Sequence, residues 1–378
     1  MFNCLLQNGR INVDKLLSLR SNNKKLAFII MFTCNRSTGK TTTLTGYTVH
    51  DFARRYDPDE QPENGKQFLY LVRRIKDAKN FHLQIQQSIQ DLEEPQYQYL
   101  KHFEFQSINR NDVYSEIQCR PIVTDLEKGE KKPKWNTCGF VAALANAGAI
   151  RNKSAVFHQV QTIWLDEFME ENNNYVANEV NNLVSIITSV ARGGGKSSRD
   201  DVRVLLTGNM VSVLNPYYDH FEVIDRLKPE TKILRGDNWI LVQEFSEKIA
   251  DELKNSGVTA SFAETDYFKF STTNAYLRDD TSFIDKSNEK YNYLATVIYN
   301  KQYFAIKRLE SGFYYCDRHV DPSFPSVYAL DVGDHNGNTR LFSNAVYLKT
   351  SLRQAFEIGK FRFQDIKCKG FIFKLLKY

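Results

Sequence analysis

The sequence predicts an α/β fold in which a mostly parallel central sheet is followed by a helical linker and a smaller, strand-rich α+β unit. Three observations predict it. Four short apolar runs in the first 210 residues are each bounded by polar or turn residues. Segments long enough for crossover helices lie between them. Beyond Arg226 the texture shifts toward Tyr, Phe and Thr.

The apolar runs are LAFIIMF (26–32), FLYLV (68–72), TIWL (162–165) and VRVLL (202–206). Continuous runs of this size read as strands buried on both faces, with short buried helices as the alternative that periodicity leaves open. Segments 41–56 and 77–94 supply crossover helices. Within 227–255, WILVQEFSEKIADELKNSG reads as an amphipathic helix closed near Gly257. After it come YFKFSTTNAYL, YNYLATVIYNKQYFAIKRL and GFYYCDRHV, where NKQ and ESG resemble hairpin turns. The expected division is a first domain at 1–226, a helical linker at 227–257 and a second domain at 258–378.

Composition narrows the function classes. Hydrophobic residues at 42%, aromatics at 13% and charged residues at 25% describe a globular chain rather than a disordered one. A net charge of +5 permits a polyanionic partner without requiring one. The six cysteines are scattered with no Cys-x-x-Cys pair, which argues against a zinc site or disulfide framework and for a reducing compartment. No run approaches the roughly 18–20 apolar residues of a membrane helix. MFNCLLQNGR lacks the pattern of a secretory signal, so a soluble, intracellular protein is expected.

The stretch TCNRSTGKTTTLTGY (33–47) ends like a phosphate-gripping loop, Gly-x-x-x-x-Gly-Lys-Ser/Thr, with Cys34 at the first glycine position. The preceding apolar run provides a strand and the following segment a helix starting near Lys40. In that junction the backbone N–H groups of Cys34, Asn35, Arg36, Ser37, Thr38, Gly39, Lys40, Thr41 and Thr42 would face phosphate oxygens at the positive helix end. Lys40 would reach the β- and γ-phosphates and the Thr41 hydroxyl would ligate Mg²⁺, so ATP and Mg²⁺ are the expected cofactors. The plain alternative is a Gly-Lys-Thr turn that binds no nucleotide.

A second apolar run, QTIWLDEF, delivers Asp166 and Glu167 at its carboxyl end, where open parallel sheets bind ligands. Asp166 would hold the metal and Glu167 would act as general base toward water. A solvated acidic pair closing a buried strand is the alternative. The next run, VRVLLTGN, ends at Asn209, either a sensor of the γ-phosphate or an ordinary strand-to-loop turn. SVARGGGKSSRDD (189–201) is a glycine-rich basic loop. An arginine on it can serve as a finger in a neighbouring subunit's site, or the loop is a plain surface feature.

With these residues in place, the chain resembles the DNA-packaging (encapsidation) ATPases of small short-tailed bacteriophages of the Picovirinae type, relatives of terminase large subunits. The resemblance rests on TIWLDEFMEENNNYVANEVNNLVSII and LLTGNMVSVLNPYYDHF, with QFLYLVRRIK as a further match. It covers about 27–221 and beyond that extends only to domain order and size. It implies an ASCE-type ATPase domain that assembles as a homo-oligomeric ring, a pentamer, at the capsid portal. Such a ring drives double-stranded DNA into a preformed capsid, in the host cytoplasm and transiently on the procapsid. It further implies Lys40 and Thr41 as the phosphate-loop pair, Arg36 as the loop arginine, Asp166 as metal ligand and Glu167 as catalytic acid. Arg192 would be the trans-acting arginine finger and Lys153 a second basic residue facing nucleotide. Cys34 departs from the family's pattern.

The resemblance also implies a ribonuclease H-like C-terminal domain, typically without a working nuclease centre, near structural packaging RNA and the portal. Asp317, Asp321, Asp331 and Asp334 are acids available to the alternative, a nuclease-competent terminase that also cuts DNA. Such chemistry needs carboxylates converging from separate strands, whereas these crowd into one loop-rich stretch. The tail from Ser351 carries seven Lys/Arg against two acids, a patch suited to nucleic acid or a solvated terminus. DNA contacts in a motor that moves any sequence should fall on phosphates. Arg73, Arg74 and Lys76, directly after a strand, are the candidates for them.

Overall fold

The computed structural model describes residues 4–62, 66–78, 80–124, 132–171, 174–192, 199–224, 226–227, 231–257, 261–262, 265, 268, 272 and 282–377. Residues 193–198 of the glycine-rich loop and most of the 267–277 run lie outside them. The chain divides into two compact units, Met1–Leu277 and Arg278–Tyr378.

The first unit opens with α1 (Val13–Leu17), capped by Asn12, and then β1 (Ile29–Cys34). A five-residue loop leads into α2 (Lys40–Ala53), followed by β2 (Gln67–Val72) and α3 (Phe81–Gln90). Three strands come next: β3 (Phe103–Arg110), β4 (Tyr114–Pro121) and β5 (Asn136–Ala143). Then follow α4 (Ala147–Arg151), β6 (Val160–Leu165), α5 (Glu179–Ala191), β7 (Arg203–Asn209) and α6 (Pro216–His220). The unit continues through β8 (Ile233–Arg235), β9 (Trp239–Gln243) and α7 (Glu247–Asn255).

Among the described residues these strands form one sheet in the order β3-β4-β5-β2-β6-β7-β1-β9-β8. The run from β5 to β9 is parallel throughout, and β3, β4 and β8 are antiparallel additions at the two edges. The four apolar runs become β1, β2, β6 and β7, and both faces are covered, which is why these strands read as unbroken hydrophobic stretches. Along β2, Phe68 and Tyr70 join the core beneath α2 and α3, while Leu69 and Leu71 join the core beneath α5. Each fully buried side chain of this size contributes about 1.5–3 kcal/mol, so the sheet is held from both sides. Gly46 of α2 packs where a Cβ would meet Leu92 Cδ2 at 2.8 Å, so α2 sits closer to the 92–97 segment than any other residue would allow.

The expected helical linker is corrected in part. WILVQ does not start a helix; it is β9, paired in parallel with β1, and Lys232 to Gln243 closes a short antiparallel hairpin with β8. Five apolar residues cannot distinguish strand from buried helix, and the open edge of β1 decided it. The helix begins only at Glu247, where the Ser246 hydroxyl accepts from the Ile249 amide.

The second unit holds β10 (Tyr291–Tyr299), β11 (Gln302–Leu309), β12 (Tyr314–Asp317), β13 (Val327–Ala329), β14 (Arg340–Leu341) and β15 (Phe361–Phe363). Helices α8 (Val346–Glu357) and α9 (Ile366–Lys377) accompany them. The sheet order is β14-β13-β10-β11-β12-β15, an antiparallel meander of β10, β11 and β12 with parallel strands added at each side. NKQ is the hairpin turn: Asn300 and Lys301 have φ of 50° and 61°, the left-handed pair that a two-residue turn needs. Phe304 stacks on Phe371 of α9 at 3.9 Å between ring centroids, fixing helix to sheet.

Candidate nucleotide site

The loop between β1 and α2 is shaped by two residues in left-handed conformation, Ser37 (φ 64°) and Gly39 (φ 72°, ψ 20°). Gly39 adopts that conformation without the Cβ penalty. Cys34 needs no glycine, because its φ is not positive. Its thiol lies 2.8 Å from the Thr38 hydroxyl and fills the floor of the loop.

Lys40, the first residue of α2, is 8% exposed and lies along the loop's interior. Its ammonium donates to Asn209 Oδ1 (2.9 Å) and Asn35 O (3.1 Å) and lies 3.4 Å from Cys34 Sγ and Thr38 Oγ1. Asn209 reaches it from the carboxyl end of β7, the strand beside β1. Thr41 Oγ1 donates to Asp166 Oδ2 at 2.5 Å, joining the start of α2 to the end of β6. Asp166 Oδ1 accepts from Thr207 Oγ1 (2.7 Å) and the Glu167 amide (3.0 Å). Thr207 accepts in turn from Trp164 Nε1 (2.9 Å). Residues distant in sequence thus meet at the carboxyl edge of one sheet.

These groups border a cleft of about 620 Å³ lined by Thr41, Asp166, Glu167, Arg36, Tyr70 and Gln84, among others. Glu167 is exposed and has a φ of 51°. A left-handed non-glycine conformation is unusual and collects at functional sites. Arg36 in the loop pairs with Glu171 across the cleft.

Other predicted residues have different duties. The Asn35 side chain accepts from the Ser246 amide (2.9 Å) and donates to Ser246 O (3.2 Å), pinning the loop to the segment after β9. Ser37 is exposed, and Thr42 sits half-buried on the first turn of α2. Arg73 turns inward: it donates to Glu167 O (3.0 Å) and Phe168 O (2.9 Å) and pairs with Glu179 at 3.1 Å, whose side chain has no exposed surface. Tyr217 OH also donates to Glu179 (2.7 Å). The Arg73 charge is therefore neutralised inside the protein, behind the acidic pair. Arg74 donates to Asn174 Oδ1 (3.0 Å), and Lys76 is exposed.

Arg192 and Lys153 do not line the cleft. Arg192 caps the carboxyl end of α5, and Lys153 precedes β6; both are exposed. α5 starts at Glu179, the partner of Arg73, and Arg192 stands at its opposite end, about 20 Å along the helix at 1.5 Å per residue.

Sequence reading missed the segment before α1. Ile11 N donates to Thr38 O (3.2 Å), and the site that a Gly39 Cβ would take lies 3.5 Å from the Arg10 side chain, so residues 10–11 lie against the loop. Beside it the Cys4 amide donates to Glu244 Oε1 (2.7 Å), and burial pushes the Glu244 carboxyl above its ordinary pKa.

In the second unit each of the four aspartates is engaged by a partner. Asp317 forms a buried ion pair with Lys307 at 2.6 Å. Asp321 accepts from Ser323, Asp331 caps the Gly333 and Asp334 amides, and Asp334 accepts from Lys301 N. Of the basic tail, Lys367 and Lys369 are buried. Arg353 donates to Leu376 O, Arg362 lies over Phe313, and Lys374 donates to Tyr299 OH.

Comparison with known proteins gives concordant results. The profile of the family described as "Podovirus DNA encapsidation protein (Gp16)" matches residues 136–378, a span that includes Asp166, Glu167, Arg192 and Asn209. The DNA packaging protein of Bacillus phage phi29 is 28% identical over 230 residues, 60% of this chain and 67% of the relative. That of Bacillus phage B103 is 27% identical over 219 residues, 56% of this chain and 66% of the relative. The alignment thus spans about two thirds of each relative's length. Among solved structures, the bacteriophage Phi-29 viral genome packaging motor assembly matches with a TM-score of 0.62 at 21% identity, covering 98% of this chain and 99% of that one. The Phi-28 gp11 DNA packaging motor matches with a TM-score of 0.57 at 17% identity, covering 93% and 95%. At these identities the likeness is one of fold.

Proposed function

This chain belongs to the podovirus DNA encapsidation protein (Gp16) family, and we propose that it is a DNA-packaging ATPase whose first unit hydrolyses ATP in the cleft between α2 and β6 to move double-stranded DNA into a capsid. One observation carries the assignment of the site: the Thr41 hydroxyl touches the Asp166 carboxylate while Lys40 lies buried in the loop beside them. A phosphate-binding lysine, a metal-binding hydroxyl and a metal-binding carboxylate are thereby gathered at the positive end of one helix.

The donor set fits Mg²⁺. Hard oxygen ligands, one hydroxyl and one carboxylate, are what this ion takes from a protein when substrate phosphates and water supply the rest. When bound, it neutralises developing charge on the phosphate oxygens. Thr207 and the Glu167 amide orient Asp166 for that role. Lys40 would leave Asn209 for the β- and γ-phosphates, so Asn209 registers nucleotide arrival. Glu167 takes a proton from water; the water oxygen bonds to the γ-phosphorus, and the bond from that phosphorus to the bridging oxygen breaks, releasing ADP and phosphate. Arg73, holding the Glu167 and Phe168 carbonyls, keeps the base in place.

The strand order, with β7 between β1 and β6, supports the ASCE-type reading. The second unit's meander flanked by parallel β13 and β14 supports the ribonuclease H-like reading. Arg192 and Lys153 act in trans: exposed and outside the lining of their own cleft, they are available to the site of the next subunit in a homo-oligomeric ring, a pentamer in the family pattern, at the capsid portal. Arg74 and Lys76 remain the candidates for DNA phosphates, and packaging RNA for the second unit's neighbourhood.

Steady-state ATPase measurements with portal and DNA test this. Glu167→Gln and Arg192→Ala should both abolish stimulated turnover, and mixing the two should restore part of it, because one subunit can supply the finger to another's intact base. Near wild-type turnover in both single variants overturns the mechanism.

A further inference from the structure

We propose that Tyr70 and Gln84 form the wall of the cleft that holds the attacking water against Glu167. The inference rests on the ATP site assigned above and adds two residues to it.

A water that loses a proton to a carboxylate needs a second polar partner to aim its lone pair, since reaction requires a near-attack geometry. The side chains around the cleft limit the choice. Arg36, Arg73, Arg74, Asp166, Glu167, Glu170 and Glu171 are ionisable, and Thr41 is bonded to Asp166. Arg73 is engaged with Glu179 and two carbonyls, and Arg36 with Glu171. Tyr70 and Gln84 are the lining side chains that offer neutral hydrogen-bonding groups and are not bound to the phosphate loop or its metal ligands.

Their placement suits the task. Tyr70 lies in the middle of β2, next to β6 in the sheet and directly opposite Trp164 in register. Its ring is locked, stacked on Phe81 at 4.2 Å between centroids and edge-on to Trp164 at 4.8 Å. Only 7% of its surface remains exposed. The Gln84 side chain, exposed on α3, lines the same cleft as the phenol. Burial, followed by the negative charges of Asp166 and Glu167, pushes the phenol well above its ordinary pKa, so it stays a neutral donor through the working range. Tyr70 and both carboxylates line the same cleft. A rigid hydroxyl and a flexible amide on one wall can together hold a water in one orientation, as an amide does in GTPases.

Tyr70→Phe keeps the ring and removes one oxygen. In the full chain with portal and DNA, kcat should fall about tenfold, the loss of one hydrogen bond. KM for ATP, nucleotide binding and melting temperature should stay within error. Gln84→Leu should lower kcat about three- to fivefold, a weaker loss because the amide only assists the phenol in holding the same water. The double variant should turn over no more slowly than Tyr70→Phe alone, since residues acting as one unit are not additive. Unchanged kcat in Tyr70→Phe, or a loss that tracks melting temperature or KM, overturns the proposal, as does multiplication of the two losses. If Tyr70→Phe does not fold, wild-type kcat in Gln84→Leu, which alters only an exposed side chain, overturns it. Glu167→Gln, run beside them, separates the two levels: activity there removes the ATP-site reading, whereas its loss alongside an active Tyr70→Phe removes only this one.

Discussion

Two sets of carboxylates in this chain have opposite fates. In the first unit, Asp166 and Glu167 leave the end of β6 and face a cleft. Asp166 is anchored on three sides, and none of the described residues hydrogen-bonds the Glu167 carboxylate. In the second unit, Asp317, Asp321, Asp331 and Asp334 also sit at strand ends and turns, yet each is engaged: Asp317 by Lys307 of its own hairpin, Asp321 and Asp331 by neighbours two or three residues on, and Asp334 by the Lys301 amide of the β10–β11 turn. The difference lies in what surrounds each acid. A carboxylate paired with a buried lysine is a structural ion. One left unpaired beside a phosphate loop, with an arginine fixing its backbone, is available for chemistry.

The largest expected effect tests the availability of the cleft to a neighbour. Arg192→Ala should lower stimulated ATP turnover by ~10³–10⁵ in the assembled motor, with nucleotide binding by the isolated chain unchanged. Equal turnover of wild type and variant in that assay would place the finger elsewhere. Next comes the free base: Glu167→Gln should cost ~10²–10⁴ in kcat while retaining ATP affinity. If affinity falls and kcat does not, Glu167 belongs to binding.

The third prediction probes the other side of the contrast. Asp317→Ala leaves Lys307 buried without its partner, and breaking such a pair costs about 3–5 kcal/mol. Denaturant titration should show that loss in the second unit, with stimulated ATPase activity preserved when measured well below the new midpoint. Plasmid cleavage by the wild-type protein with Mn²⁺ that disappears in this variant would break the comparison. The smallest effect concerns Glu244. Its carboxyl pKa is raised in the folded chain by burial. The folded state therefore holds its proton longer than the unfolded chain, and the associated stability is present below the unfolded pKa and lost as pH rises through the folded one. Glu244→Gln keeps an acceptor for the Cys4 amide and removes the ionisation. Stability curves between pH 4 and pH 7 should flatten in that variant, and an unchanged slope would mean that another group carries it.

The same contrast explains what could be read early. Lys40, Thr41 and the acidic pair were legible because each depends on local pattern: a strand, a loop with Gly39, and a helix start within a dozen residues, or an apolar run ending in acid. Arg73 was misleading for the opposite reason. Beside Arg74 and Lys76 it looks like part of a surface cluster, and only the arrival of Glu179 from α5 turns it inward. The Asn35 side chain gave no such local signal: it bonds Ser246, more than two hundred positions away. Tyr70 carried no signal at all within a run of buried strand residues.

The sequence by itself determined the alternation of strands and helices, the strand–loop–helix junction around Gly39 and the edge of the sheet at which Asp166 and Glu167 emerge, because these follow from periodicity, glycine freedom and the direction of parallel strands. Only tertiary structure decided which polar groups stay available. That choice depends on partners brought together by strand order, such as Asn209 to Lys40 and Glu179 to Arg73. A charge is neutral or reactive according to what lies within about 4 Å of it, and no stretch of the chain records that distance.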